Sequence, residues 1–311
     1  MPAFKPADLG RGINLGNALE APRDQGWGVT LTDSFFTAIA EAGFDSVRIP
    51  VRWSDYAAEE PPYTIEPAFF KTVDRAVAQA LSNDLAVVLN VHHYNELMAA
   101  PAQHRDRFLG LWRQIAEHYK DMPDSIVLEL CNEPCGNMSD EFWNELVADT
   151  IPLVRASNPE RWLMVGPTQW NQVHKLHLLQ LPQDDRRLIV TIHYYEPMAV
   201  THQGASWIND SDRWLGTTWT GTAEEQAAVR ELFDRAATWA REHDRPVYLG
   251  EFGVYRTADM DTRTNWTAFV AREAEQRGFT WGYWEFCSGF GAYDPEAQAW
   301  REPLLQALLP E

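Results

Sequence analysis

A single (β/α)8 barrel is the fold class that this sequence predicts, on three observations. Short apolar, β-branched runs alternate with longer amphipathic stretches, the pattern of parallel strands joined by crossover helices rather than of an antiparallel sandwich. Eight such pairs fit into 311 residues, a span that one closed barrel of this kind occupies. No Gly- or Ser-rich linker, short-period repeat or low-complexity tract divides the chain, so residues 1–311 are expected to form one domain.

The strands are expected, in order, over residues 12–17 (GINLGN), 45–51 (DSVRIPV), 86–92 (AVVLNVH), 126–132 (IVLELCN), 162–167, 188–195 (LIVTIHYY), 246–252 (PVYLGEF) and 280–286 (TWGYWEF). Most are continuous hydrophobic runs, as strands covered on both faces must be. Among the helices, 66–82 places Phe69, Phe70, Val73 and Val77 on one face, and 102–120 repeats Phe108, Leu111, Trp112, Ile115 and Tyr119 at three- and four-residue steps. Further helices are expected over 139–156, 223–242 and 261–277, the last with Trp266, Phe269 and Val270 in register. Each apolar stripe would pack against the barrel wall.

Composition narrows the partners. Hydrophobic residues make up 45% and charged residues 23% of the chain, ordinary globular values. No apolar run approaches the roughly 18 residues that a membrane span needs. Twenty-six basic against 45 acidic side chains leave a net charge of −19, a field that repels nucleic-acid backbones and anionic membrane surfaces, so neither is expected as a partner. Neutral substrates are not repelled. Only Lys5, Lys71, Lys120 and Lys175 are lysines, which makes the surface rich in Asp, Glu and Arg. Cys131, Cys135 and Cys287 cannot all pair within one chain and lack the spacing of a zinc site, so free thiols are expected. The opening MPAFKPADLG lacks the basic and apolar segments of a secretory signal, leaving open both a cytoplasmic location and export with a signal already removed. A monomer is expected.

In this fold the active-site residues come from the C-terminal ends of several strands. The predicted ends carry Asn17, Arg48, His92 with His93, Asn132 with Glu133, His193 with Tyr195, Glu251, and Trp284 with Glu285. Glu133 in LELCNEP and Glu251 in VYLGEFG each directly follow a buried apolar strand, where a carboxylate is costly unless a partner satisfies it. Two carboxylates flanking a glycosidic bond can divide labour, one protonating the leaving oxygen and the other attacking the anomeric carbon. Like charges so close resist joint ionisation, so the pair should titrate apart. Either acid alone also fits a plain ion pair with an arginine; two at corresponding strand ends fit catalysis better. Arg48, ending SVRIP, is placed to hold one of them ionised by a charge-assisted hydrogen bond.

A metal is not expected. His92 and His93 are adjacent on an extended segment and should point to opposite faces, so that at least one is structural, and the first strand end lacks an HxH pair. Fourteen tryptophans are the other unusual feature, with Trp170, Trp207, Trp214, Trp219 and Trp284 outside the helical stripes. Indole faces suit the CH face of a pyranose, and interleaved polar groups suit its hydroxyls; for any single Trp, packing is the default.

The motifs GNALEAP, SVRIPVRW, VHHYNEL, NEP, TIHYYEP, THQGASW, LGEFG and YWEFCSGFG, spread from RGINLGNALE to WEFCSGFG, resemble the retaining (β/α)8 glycoside hydrolases of family 5, and more closely its thermophilic bacterial endoglucanases that also cleave β-mannans. The resemblance implies Glu133 as acid/base, Glu251 as nucleophile and Asn132 on the substrate 2-hydroxyl. It implies that Arg48 and Tyr195 steady the nucleophile and that His193 lies beside the acid/base. Asn17, Glu20, His92 and His93 would bind sugar hydroxyls, with Trp284 flooring that subsite and Trp207 lining the cleft. A β-linked polysaccharide or oligosaccharide is the implied substrate and no cofactor is implied. Where relatives often carry histidine just after the NEP, this chain has Cys135. Two competing readings remain: a non-catalytic β-glycan-binding barrel, which would bind without turnover, and a metal-dependent hydrolase, which a chelator would inhibit.

Overall fold

The computed structural model describes residues 3–310. Eight parallel strands close into a barrel in chain order: β1 (Arg11–Asn14), β2 (Ser46–Ile49), β3 (Ala86–Asn90), β4 (Ile126–Glu129), β5 (Leu163–Val165), β6 (Leu188–His193), β7 (Val247–Glu251) and β8 (Thr280–Tyr283), with β8 pairing back onto β1. Helices Asp33–Ala42, Pro67–Ser82, Pro101–Tyr119, Asp140–Arg155, Ala223–His243 and Met260–Gln276 cross between them, and Glu302–Leu308 follows the last strand. Their starts are written in the sequence. Pro67 and Pro101 open two helices where a missing N–H costs nothing, Ser139 accepts from Phe142 N at 3.1 Å, and Asp259 accepts from Thr262 N at 2.8 Å.

Alternate strand residues enter the barrel. Near its N-terminal end Leu9, Ala86, Val88, Val127, Met164, Ile189 and Tyr248 form an apolar plug, while the intervening positions, such as Ile13, Val47, Leu89, Leu128 and Leu249, face the helices. Two residues further along the same inward rows the side chains turn polar: Asn14, Arg48, Asn90 and Glu129, all 0% exposed. Four indoles fasten the outer layer to this end. Trp53, Trp112, Trp143 and Trp266 donate Nε1–H to the carbonyls of Asn90, Leu130, Gly166 and Glu196 at 2.8–3.1 Å. Each packs a large apolar face and also satisfies a carbonyl just where the strand ladder is ending.

Three expectations change. Every strand ladder stops two to three residues before its predicted end, except at the seventh, where it stops one residue short, so Asn17, His92, Asn132, Glu133, Tyr195 and Trp284 sit on the loops above the strands. Val51, Val91 and Leu130 remain fully buried beyond the ladder, so hydrophobicity alone does not mark its end. After β5 no full crossover helix forms. Its place is taken by a short turn, Thr168–Asn171, with a 3-10 segment, Val173–Leu178. A two-stranded antiparallel hairpin, Tyr293–Asp294 with Ala299–Trp300, adds to the barrel. No helix among the described residues is long and apolar enough to cross a membrane.

Candidate active site

Arg48 is the centre of the polar layer. Its Nε and Nη2 fork onto both oxygens of Glu129 at 2.6 and 2.9 Å, Nη1 donates to Asn14 Oδ1 and Glu251 Oε1 at 2.8 Å each, and Nη2 also reaches Asn132 Oδ1 at 2.6 Å. A guanidinium is the side chain that can satisfy these five oxygens, on four residues, from one planar fork without solvent. Burial opposes its charge, yet Glu129 and Glu251 hold it protonated. Because Asn132 Oδ1 accepts from Arg48, Nδ2 is the end of that amide left to donate.

Glu251 and Glu133 lie above this layer. Glu251 takes Arg48 on Oε1 and the Tyr195 hydroxyl on Oε2 at 3.0 Å, while Glu133 Oε1 meets His193 Nδ1 at 2.7 Å. One oxygen from each carboxylate and a ring nitrogen of His193 all lie within 4.8 Å of one another. The Glu133 side chain keeps 23% exposure and opens onto the cleft; that of Glu251 keeps 7%. Loss of hydration pushes Glu133 up to about 7, with Arg48 pulling the other way. Burial also raises Glu251, opposed by His193 and by the directly bonded Arg48. His193 is pushed down to about 4 by burial and is neutral across the physiological range, so its contact with Glu133 is a hydrogen bond rather than an ion pair. Tyr195, raised by burial and by Glu251, keeps its proton and donates it.

The rim departs from strand logic at His93. Its φ of 48° breaks the alternation, and the His92 and His93 rings stand side by side, centroids 4.4 Å apart, instead of on opposite faces. His92 stacks on Trp284 at 5.8 Å and hydrogen-bonds Asn90 at 3.0 Å through Nδ1; His93 meets the edge of Trp27, which is 42% exposed. Trp207, 58% exposed, stands edge-on to His202 and Tyr255 on the opposite part of the rim. Trp219 leaves the cleft group: it is buried against Phe269 in the helical layer. Cys131, Cys135 and Cys287 are free thiols, and the Cys135 amide donates to Met98 Sδ at 3.3 Å.

Two acids serve the loops. Glu285 accepts from the amides of Cys287, Ser288 and Phe290 at 2.8–3.1 Å and so shapes the segment after β8. Glu20 is completely buried and accepts from the amides of Asn17 and Ala18; it holds the first loop rather than facing open cleft, while Asn17 donates to Ser288 Oγ at 2.7 Å. Burial raises Glu20 from 4.5 to about 8. The native state therefore binds this proton more tightly than the unfolded chain, and the stability it contributes is present below 4.5 and lost as pH rises through 8. Glu20→Gln should flatten the fall in Tm between about pH 5 and pH 8. Parallel Tm profiles for the two proteins would remove Glu20 as the cause.

Glu129, Asn14, Asn90 and Asn171 were not singled out by sequence reasoning. The available signal was an ionisable residue inside an uninterrupted apolar run, as in IVLELC. Asn171 carried no such signal: Nδ2 lies 3.2 Å from His193 Nε2 and 2.5 Å from the Asn132 carbonyl, from a loop with no glycine or proline at the turn itself.

The profile of the cellulase family, glycosyl hydrolase family 5, matches residues 10–289. The chain belongs to glycosyl hydrolase family 5. Within the family, endoglucanase H of Acetivibrio thermocellus is 35% identical over 277 residues, covering 89% of this chain, and the cellulase/esterase CelE of the same organism is 29% identical over 304 residues, covering 91%. This family 5 chain spans 29% and 36% of the lengths of those two relatives. Thermotoga maritima Cel5A in complex with mannotriose superposes with a TM-score of 0.96 at 47% identity over 98% of both chains, and its complex with cellobiose does so at 48% identity.

Proposed function

We propose that this chain is a retaining endo-β-1,4-glucanase, hydrolysing internal bonds of cellulose, β-glucan and glucomannan as one catalytic domain and as a monomer. The observation that carries the proposal is the pair Glu133 and Glu251, with oxygens inside 4.8 Å of each other. Retaining enzymes place their two carboxyls about 5–5.5 Å apart, whereas inverting enzymes leave about 6.5–9.5 Å for a water. Glu251, fixed on both oxygens by Arg48 and Tyr195, attacks the anomeric carbon as the partly buried acid Glu133 protonates the departing oxygen. Glu133, now a carboxylate, draws a proton from water as that water displaces Glu251 from the sugar. Asn132 donates to the 2-hydroxyl from the amide that Arg48 leaves free.

NMR of a β-glucan digest should show the β-anomer first; an initial α-anomer would sink the double-displacement reading. The pH profile gives a second check. Activity needs Glu251 ionised and Glu133 protonated, so kcat/KM should rise along a limb above 4.5 and fall along one near 7. The descending limb should vanish in Glu133→Ala; its persistence would assign it elsewhere.

A dual glucanase and mannanase is supported by the mannotriose and cellobiose complexes of the Thermotoga enzyme. Glucose and mannose differ only at the 2-hydroxyl, which Asn132 would meet. Reducing-sugar release from carboxymethyl-cellulose, barley β-glucan, glucomannan, galactomannan and xylan in parallel decides the breadth. Activity should survive EDTA, and its loss would favour metal-dependent hydrolysis.

A further inference from the structure

Gln169, Trp170 and Asn171 adopt φ values of 54°, 59° and 57°, three consecutive left-handed residues without a glycine. L-residues rarely take this conformation singly, and a run of three persists only where its surroundings impose it. Here the surroundings do: Asp140 accepts from Thr168 and from Lys175 Nζ at 2.8 Å, Trp143 Nε1 donates to the Gly166 carbonyl at 2.8 Å, and Trp170 N donates to the Pro134 carbonyl at 3.3 Å. The outcome is that the Asn171 amide, fully buried, is inserted between Asn132 and His193. Room for it exists because residue 166 is glycine; a Cβ there would lie 2.1 Å from Asn171 Oδ1.

The Asn132 carbonyl can only accept, so the Asn171 atom facing it is Nδ2, whose second hydrogen points at His193 Nε2. Nε2 is then an acceptor, and the single proton of the neutral ring sits on Nδ1, donated to Glu133 Oε1 at 2.7 Å. An acid proton on Glu133 is displaced to Oε2, the oxygen without a hydrogen bond among the described residues. We propose that Asn171 is a positioning residue, which fixes the tautomer of His193 and thereby directs the acid proton of Glu133 into the cleft. The inference rests on Glu133 being the general acid.

Asn171→Asp inverts the device while tolerating the left-handed backbone: a carboxylate beside Nε2 draws a proton onto it. Either the ring's one proton moves through solvent from Nδ1 to Nε2, so that Nδ1 accepts a hydrogen bond from Glu133 Oε1–H and turns the acid proton away from the leaving group, or a second proton from solvent makes the ring cationic and holds Glu133 as carboxylate; both remove the acid. Hydrolysis of barley β-glucan, whose leaving group needs protonation, should lose about tenfold or more in kcat with KM little changed. Hydrolysis of 2,4-dinitrophenyl β-cellobioside, whose leaving group does not, should stay within about twofold. Asn171→Gly, which relieves the backbone and merely deletes the amide, should show the same asymmetry to a smaller extent. In 15N-histidine-labelled protein, Nε2 of His193 should be unprotonated in the parent and protonated in Asn171→Asp. Glu133→Gln on the same two substrates separates the failures when read in kcat/KM, which reports the first step and is blind to the loss of Glu133 as base in the second. Equal loss on both there overturns Glu133 as the acid. The expected asymmetry in Glu133→Gln, with equal losses or none in the Asn171 variants, overturns the role of Asn171 alone.

Discussion

Glu251→Gln is expected to lower kcat on soluble β-glucan by on the order of 10⁴-fold or more, the scale of removing a covalent nucleophile, while leaving the fold and substrate binding in place. The amide is isosteric with the carboxylate and keeps an oxygen for Arg48 Nη1, now 2.8 Å from Oε1. Its NH2 faces the Tyr195 hydroxyl, 3.0 Å from Oε2, which can rotate to accept. What disappears is the lone pair that forms the glycosyl bond. The variant also removes a buried charge that hydration loss penalises, so its Tm should match or exceed that of the parent. Azide supplied to Glu251→Ala can enter from the vacated side and should restore turnover of an activated aryl cellobioside, giving the α-glycosyl azide. Hydrolysis by Glu251→Gln within tenfold of the parent would discard this residue as nucleophile.

The two acids were legible because each closes an apolar run in the sequence, LELCNE and VYLGE, where an unpaired carboxylate is costly. Arg48 was legible for the same reason, as a cation inside SVRIP. Glu129 was not, although it is as deeply buried. Its partner Arg48 is 81 residues away, and only barrel closure brings the two strands' inward rows together. The rule that adjacent strand residues diverge failed at His92 and His93 because a single left-handed residue follows β3. The left-handed turn Gln169–Asn171 is invisible in its own composition for a related reason: its conformation is imposed by contacts of Asp140, Trp143 and Pro134. Glu20 shows the reverse error. The motif around it carried a sugar-binding expectation, while its carboxylate is spent on two backbone amides of its own loop.

Arg48→Met should damage stability and activity through separable routes. One cation serves two carboxylates here, and side-chain exposure is 0% for Arg48 and Glu129 and 7% for Glu251. Removing it leaves Glu129 with only a 3.4 Å contact from Asn90 Nδ2, an uncompensated buried charge. Breaking such a pair costs about 3–5 kcal/mol, a fall in Tm of about 5–8 °C for a domain of this size. Neutralising the stranded partner as well, in Arg48→Met with Glu129→Gln, should recover most of that loss, because removing a whole buried pair is often close to neutral. Activity should not recover. Without the guanidinium, Glu251 loses the cation that favours its ionised form, so its titration moves to higher pH and the ascending limb of kcat/KM moves with it. Arg48→Lys keeps the charge but cannot reach Glu129, Asn14, Asn132 and Glu251 from one ammonium, so it should restore part of the Tm and little of the rate. Thermal melts and pH profiles of the three variants decide the matter. If the double variant regains both Tm and kcat, Arg48 acts only as a structural counter-ion to Glu129, and its contact with Glu251 carries no catalytic weight.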